Sequence, residues 1–109
     1  MDQMPKPPDT FLAFQQRFPK LAKAWETLAD AGKDGPLDTK SSRLIKLGVA
    51  IGNMREGAVH SCVRKALAAG ISKAEIEQVI ALAAGTLGLP ATVAVWTWIR
   101  DEFDGQGRK

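Results

Sequence analysis

Residues 63–76, Val-Arg-Lys-Ala-Leu-Ala-Ala-Gly-Ile-Ser-Lys-Ala-Glu-Ile, contain the end of one helix and the start of the next. Gly70 is of the residue type that commonly ends a helix, because glycine adopts left-handed backbone angles without a steric penalty. Ser72 and Glu75 have the spacing of a capping box, and the isoleucines on either side of this pair have the spacing of a hydrophobic staple. The stretch therefore predicts two helices joined by a very short connection.

The same helical pattern extends over the rest of the chain. Apolar residues recur at helical spacing, and helix-starting and helix-stopping residues separate the segments. No segment of four or more residues alternates as a half-buried strand does. We therefore predict an all-α fold, a compact orthogonal bundle of about six helices, as one domain over residues 9–104 between a loose arm (1–8) and a flexible tail (105–109). The first five helices are expected to start near Asp9, Pro19, Asp38 or Thr39, Arg55 and Ser72. Residues 88–90, Gly-Leu-Pro, are expected to end the fifth helix, and a last helix carries Val93, Trp96, Ile99 and Phe103.

The third predicted helix suggests how the chain is buried. Residues 44–51, Leu-Ile-Lys-Leu-Gly-Val-Ala-Ile, are apolar on nearly every side, and a helix of that kind is buried all round. Gly52 and Asn53 are the predicted stop, since both tolerate left-handed angles. A chain of 109 residues has too few helices to cover such a helix alone. We therefore expect a homo-oligomer whose interface extends the core.

Composition excludes several classes of protein. The formal net charge is only +3, from 15 basic and 12 acidic residues that are scattered along the chain, so we expect no nucleic-acid partner. No run approaches the ~18 apolar residues of a membrane helix, so we expect no membrane partner. The single cysteine excludes an internal disulfide framework and fits a reducing compartment. With no apolar signal region at the start of the chain, we expect a cytoplasmic location.

Residues 55–67 hold the only histidine and the only cysteine of the chain. Glu56 precedes His60 by one helical turn and falls within the arc of an apolar stripe on the fourth helix. A partly buried carboxyl with an imidazole one turn away predicts a proton-transfer pair. The alternative is a routine contact of an N-terminal glutamate with His60 or Arg64, in which His60 is a structural residue.

Cys62 allows two interpretations. It is either a small buried hydrophobe with an inert thiol, or the reactive group of single-thiol redox chemistry. His60 and Cys62 point about 160° apart around one helix, so they form no dyad within it. Only Glu56 and His60 converge as metal ligands, and we expect neither a metal nor a cofactor. Arg43, at the start of the third helix, is either a surface residue or a clamp for a substrate carboxylate.

Two stretches, 37–50 and 63–76, resemble the carboxymuconolactone decarboxylase/alkylhydroperoxidase family. The resemblance covers about residues 37–89 and includes an Ala-Leu-x-x-Gly-x-Ser-x-x-Glu-Ile signature. It implies an all-helical, alkylhydroperoxidase-like fold that assembles as trimers or hexamers, in agreement with the burial argument above.

The resemblance also shows where this chain departs from the family. The peroxidase branch carries Cys-x-x-Cys and a histidine, which fall at Arg55, Ala58 and Cys62, and its proton-relay glutamate falls at Arg43. A disulfide-cycling peroxidase needs two thiols, and this chain has one. The decarboxylase branch has an Arg-Glu pair that matches Arg55 and Glu56, but its histidine is again replaced by Cys62.

We therefore expect a divergent family member that binds a small organic molecule in a pocket between helices and subunits. Glu56 would donate or accept a proton, His60 would be its partner, and Arg43 or Arg55 would contact an anionic group. The enzyme would be a decarboxylase-like lyase or a divergent alkylhydroperoxidase-like oxidoreductase. The alternatives are a single-thiol antioxidant of peroxiredoxin type that acts through Cys62, and a non-catalytic oligomeric binding protein.

Overall fold

The computed structural model describes residues 9–105, which are mostly helical. No strand occurs among these residues, so the predicted all-α fold of about six helices is confirmed. Within the same range, no helix has the length and apolar character needed to cross a membrane. The predicted loose arm and all but the first residue of the predicted tail lie outside the described residues. The helices are α1 (Asp9–Arg17), α2 (Pro19–Ala31), α3 (Thr39–Gly52), α4 (Glu56–Ala68), α5 (Lys73–Leu87) and α6 (Leu89–Gly105).

The chain forms two compact units, which divide between residues 37 and 38. In the first unit α1 packs against α2, and the rings of Phe14 and Phe18 lie 5.1 Å apart. Pro19 occupies the start of α2, where its missing N–H costs no helical hydrogen bond. Neither α1 nor α2 contains a buried residue. The single domain predicted for residues 9–104 remains a prediction.

The second unit holds the hydrophobic core. In it α3 packs against α4 and α5, and α6 packs against the same two helices. Each of the four helices turns one apolar stripe toward the others, which removes those side chains from water. The buried residues are Leu47, Ala50, Ile51, Val59, Val63, Ala66, Ile71, Ile76, Ile80, Val95 and Ile99.

Local side-chain hydrogen bonds fix where the helices of the second unit begin. The Asp38 carboxylate accepts the Ser41 backbone N–H at 2.6 Å and so caps α3. At α5 the predicted capping box is present: the Glu75 N–H donates to Ser72 Oγ at 3.1 Å, and the Ser72 N–H donates to Glu75 Oε1 at 2.9 Å. Gly70, after α4, has the left-handed φ of +88° that its identity predicted.

The end of α3 falls at the predicted stop, but the left-handed residue is a different one. Gly52 is the last helical residue, and the Asn53 N–H still bonds to the Val49 carbonyl at 3.0 Å. Asn53 keeps right-handed angles, and the left-handed residue is Met54, with a φ of +54°. The stop at Gly52 and Asn53 is therefore confirmed, and α4 starts at Glu56.

Within one chain α3 is buried on one side only, and the expected burial of its other sides by a second subunit stays a prediction. Its buried residues all belong to one side, because α4 and α5 cover only that side. Ile45 and Val49 are more than half exposed. At the start of the helix, Lys40 forms an ion pair with Glu75 of α5. Its ammonium group, together with the Ser72 N–H, lowers the pKa of Glu75 to about 2.

Candidate functional site

The imidazole of His60 lies between two carboxylates. Its Nδ1 is 2.6 Å from Oε2 of Glu102 on α6, and its Nε2 is 3.3 Å from Oε2 of Glu56 on the same helix. The first contact depends on the packing of α4 against α6, and the second follows from the one-turn spacing along α4. Both ring nitrogens of the only histidine therefore face a hydrogen-bond acceptor.

Glu102 is the most enclosed carboxylate of this group. Its side chain is 16% exposed, and Nη1 of Arg64 donates to the same Oε2 atom at 2.9 Å. The guanidinium group stabilises the ionised carboxylate where water is scarce. Because an ionised carboxylate only accepts hydrogen bonds, the proton of the 2.6 Å contact belongs to Nδ1 of His60. Glu102 and Arg64 thus fix the orientation of the ring.

Glu56 is much more open to solvent than the sequence suggested. Its side chain is 58% exposed, although it contacts an imidazole that is only 20% exposed. The desolvation expected from its place on the apolar stripe is absent, because Glu56 is the first residue of α4 and lies at the edge of the packed unit. The pair therefore joins a shielded imidazole to a carboxylate in contact with water.

Cys62 belongs to a different side of α4. Its side chain packs against the hydrophobic core. Burial raises the pKa of the Cys62 thiol, while the positive charges of Lys65, Lys46 and Arg43 partly offset this effect. A thiol with a raised pKa is mostly protonated at neutral pH and is a poor nucleophile. His60 bonds to α6 while Cys62 packs against the core, so the two side chains are not in contact through α4.

The two candidate arginines lie in different surroundings. Arg43 lines a cavity of about 220 Å³ with Lys40 of α3 and with residues 69–71, which follow α4. Arg55 is exposed and immediately precedes Glu56 at the N-terminus of α4. The structure therefore brings Glu56, His60 and Arg55 to one end of α4. It places Arg43 beside the other end.

Sequence analysis missed Glu102. The residue is 42 positions from His60, and only the packing of α6 on α4 brings the two together. One signal was available: Glu102 follows the buried residues Val95 and Ile99 at helical spacing, so it continues their apolar stripe. A carboxylate at such a position requires a partner, since unpaired buried charges are costly.

The side chains of this group are of the types that exchange protons. Within residues 9–105, no cluster of three or more His, Cys, Asp or Glu side chains is arranged to hold a metal ion. Two carboxylates, one imidazole and one guanidinium are the groups in contact. Of these, the imidazole Nε2 and the Glu56 carboxylate are the atoms placed to exchange a proton with a molecule from solution.

Comparison with known proteins identifies the family of the chain. The model of the carboxymuconolactone decarboxylase family matches residues 19–101, from α2 to near the end of α6. The matched range includes Glu56, His60 and Arg64, and it stops one residue before Glu102. No curated protein and no solved structure matches the chain significantly.

Proposed function

Because the chain belongs to the carboxymuconolactone decarboxylase family, we propose that it is an enzyme that transfers a proton to or from a small organic substrate. The observation that carries this proposal is the double contact of His60. Glu102 accepts the Nδ1 proton, and Nε2 lies 3.3 Å from Glu56 at the edge of solvent. In a histidine held in this way, Nδ1 fixes the orientation of the ring and Nε2 is left to transfer a proton.

The proton available for transfer lies between Nε2 and Glu56. When Nε2 carries a proton it donates to the Glu56 carboxylate, and when Nε2 has lost its proton the exposed Glu56 side chain is open to water. An imidazolium at His60 would be stabilised by carboxylates on both sides. When the proton leaves, the ring stays in place because Glu102 still holds Nδ1 and Arg64 still holds Glu102.

Decarboxylation is the reaction that the family's description suggests. In such a reaction the bond from the carboxylate carbon to its neighbour breaks and carbon dioxide leaves. The electron pair of the broken bond stays on the substrate, and its carbon then takes up a proton. We propose that Nε2 of His60 donates that proton and is then reprotonated by way of Glu56 and the surrounding water. Arg55, next to Glu56, would contact the anionic group of the substrate.

The substrate pocket is proposed to lie between helices and between subunits of a trimer or hexamer in the cytoplasm. The cavity between α3 and α5 and the cavity beside Arg43 include neither Glu56 nor His60. A second subunit beside the exposed Glu56 side chain would supply the remaining wall. A pocket of that kind would also exclude water from the reacting atoms.

The thiol alternative receives no support from the surroundings of Cys62. Its raised pKa disfavours the thiolate, and the only imidazole of the chain lies on another side of α4. The alternative of a non-catalytic binding protein predicts that the Glu56 and His60 side chains stabilise the fold without supporting turnover. The experiment below separates this alternative from the enzyme.

The test combines an assay with a spectroscopic measurement that needs no substrate. Decarboxylation of carboxymuconolactone, the compound in the family's description, is measured for the wild type and for His60→Gln, Glu56→Gln and Glu102→Gln. We expect a loss of roughly 10²–10⁴-fold in kcat/KM for His60→Gln and a loss of the same kind for Glu56→Gln. The matched control is Glu77→Gln, an exposed carboxylate on α5, which should keep full activity.

The spectroscopic measurement uses the fact that the chain has one histidine. Nitrogen-15 NMR at about pH 9, where an ordinary imidazole is neutral, should show the ring proton on Nδ1. Glu102→Gln should shift the ring toward the other tautomer, and Glu77→Gln should not. Wild-type activity in His60→Gln would refute proton transfer by His60, and a wild type without turnover but with Nδ1–H would favour the binding protein.

A further inference from the structure

An apolar stripe on α2 is exposed to solvent. Leu21, Trp25 and Leu28 follow one another at spacings of four and three residues, so they share one face of the helix. All three side chains are more than half exposed, and Trp25 reaches 62%. The family match begins at residue 19, so α2 is part of the matched domain although none of its residues is buried. A matched helix with an uncovered apolar face requires a partner surface.

A groove between α3 and α5 is the matching surface. It has a volume of about 500 Å³, and its walls are mainly apolar. Ile45 and Leu82 stand at its edges and are 52% and 74% exposed. Gly48 lies on the α3 side of the groove, close to Val79 of α5, and leaves room where a larger side chain would fill the groove. Its remaining apolar lining consists of Leu44 and Ala83.

We propose that α2 of one copy of this chain docks its apolar stripe in the α3–α5 groove of another copy. This inference goes beyond the proposed function and does not depend on it. The stripe from Leu21 to Leu28 is about 10 Å long, and the α5 wall from Glu75 to Ala83 is about 12 Å long at the rise of an α-helix. A helix laid in an apolar groove through side chains at i, i+4 and i+7 is a recurrent mode of recognition.

The exposed area agrees with a second copy as the occupant. Three large side chains on the stripe and three around the groove, Ile45, Val49 and Leu82, each expose roughly 100 Å². One docked helix would therefore bury roughly 600 Å². In a two-fold dimer each copy gives one helix and receives another, so the two contacts together bury roughly 1,200 Å² in total, the lower bound of stable interfaces.

The test uses a charge on each of the two surfaces. Two contact variants, Trp25→Asp and Leu82→Asp, each place a carboxylate in the contact. Two matched controls, Thr27→Asp and Ala81→Asp, each place a carboxylate at a neighbouring exposed position. Light scattering after size-exclusion chromatography should show an oligomer for the wild type and the controls. Both contact variants should be monomeric, which corresponds to a loss in affinity of at least roughly 30-fold. Circular dichroism checks folding, and Leu82→Ser replaces Leu82→Asp if the latter unfolds.

Mixing the two contact variants identifies the pairing. The Leu82→Asp chain keeps an intact stripe and the Trp25→Asp chain keeps an intact groove, so one good contact remains between them. We expect the Trp25 indole resonance of nitrogen-15-labelled Leu82→Asp to shift when unlabelled Trp25→Asp is added, and to stay unchanged when unlabelled Leu82→Asp is added. A monomeric wild type, dissociation by only one of the two variants, or no shift on mixing would each overturn the proposal.

Discussion

At the scale of single residues, Cys62 and His60 show how one helix can separate two reactive side chains. His60 bonds to α6 and Cys62 packs into the core, and the two are not placed to activate each other. Thiolate formation at Cys62 is opposed chiefly by burial, which raises its pKa. Three nearby cations weaken this effect without reversing it. The residue therefore behaves as part of the core.

We expect Cys62 to react slowly with iodoacetamide in the folded protein. Alkylation needs an ionised and exposed thiol, so at pH 8 the native chain should react at least about tenfold more slowly than the urea-unfolded chain. Because the folded pKa is raised, the rate in the native protein should also reach its half-maximum at a higher pH than in the unfolded chain.

Mass spectrometry of timed samples gives both rates for Cys62. The unfolded chain is the control, because it has the same thiol without the surrounding core. Equal alkylation rates in the folded and unfolded chains would show an accessible, ionised thiol. That result would support single-thiol redox chemistry at Cys62.

The candidate site was only partly predictable from residue spacing. The contact of Glu56 with His60 follows from their one-turn separation along a helix, which is a local property. The contact with Glu102 crosses 42 positions and depends on how α6 packs on α4, which no local pattern specifies. The exposure of Glu56 within one chain does not follow from a helical wheel, which places residues by angle and ignores the end of the packed unit.

At the scale of elements, the most local signals were the most reliable. The capping box at Ser72 and Glu75 and the left-handed Gly70 depend on a few consecutive residues, and all are present. The exposure of Ile45 and Val49 on α3 depends on which neighbours cover each side, so the apolar sequence alone could not reveal it. The left-handed Met54 was missed because Asn53, the residue after the last helical glycine, keeps right-handed angles, so the reversal falls on the next residue.

A pair of glycine substitutions tests the role of backbone angles at helix ends. A Cβ at Gly70 would meet no atom within 4 Å, so Gly70→Ala carries only the cost of its φ of +88°. We expect a loss of about 1–2 kcal/mol in the free energy of unfolding. Gly85, inside α5, also has open space but ordinary helical angles, so Gly85→Ala should gain about 0.5–1 kcal/mol.

Urea denaturation followed by circular dichroism measures both glycine variants. Gly85→Ala is the matched control, because it adds the same methyl group at a residue with ordinary helical backbone angles. A loss at both positions would mean that the added methyl group itself disturbs packing. No loss at Gly70 would mean that the turn after α4 relaxes to accept a side chain.

At the scale of the whole molecule, stability and proposed chemistry are concentrated in the second unit. Every buried residue found in residues 9–105 lies after position 38, and so do Glu56, His60, Arg64 and Glu102. The first unit contributes no buried residue and carries the exposed stripe of α2. The second unit thus holds the core and the candidate site, whereas the first unit carries an exposed apolar surface.

This division predicts the effect of shortening the chain. A chain that begins at Asp38 keeps the entire core, so we expect cooperative thermal unfolding and the Nδ1–H tautomer of His60. A chain that ends at residue 87 loses α6 with the buried Val95 and Ile99, at a cost of roughly 2–5 kcal/mol for each large side chain.

Because small domains are stable by only about 5–15 kcal/mol, the chain without α6 should be unfolded. It also loses Glu102, so its imidazole would have no partner on α6 to select a tautomer. Calorimetry and nitrogen-15 NMR of both shortened chains are the measurements. If removing α1 and α2 abolished cooperative unfolding, the first unit would be part of the core, and the single domain predicted over residues 9–104 would replace the two-unit description.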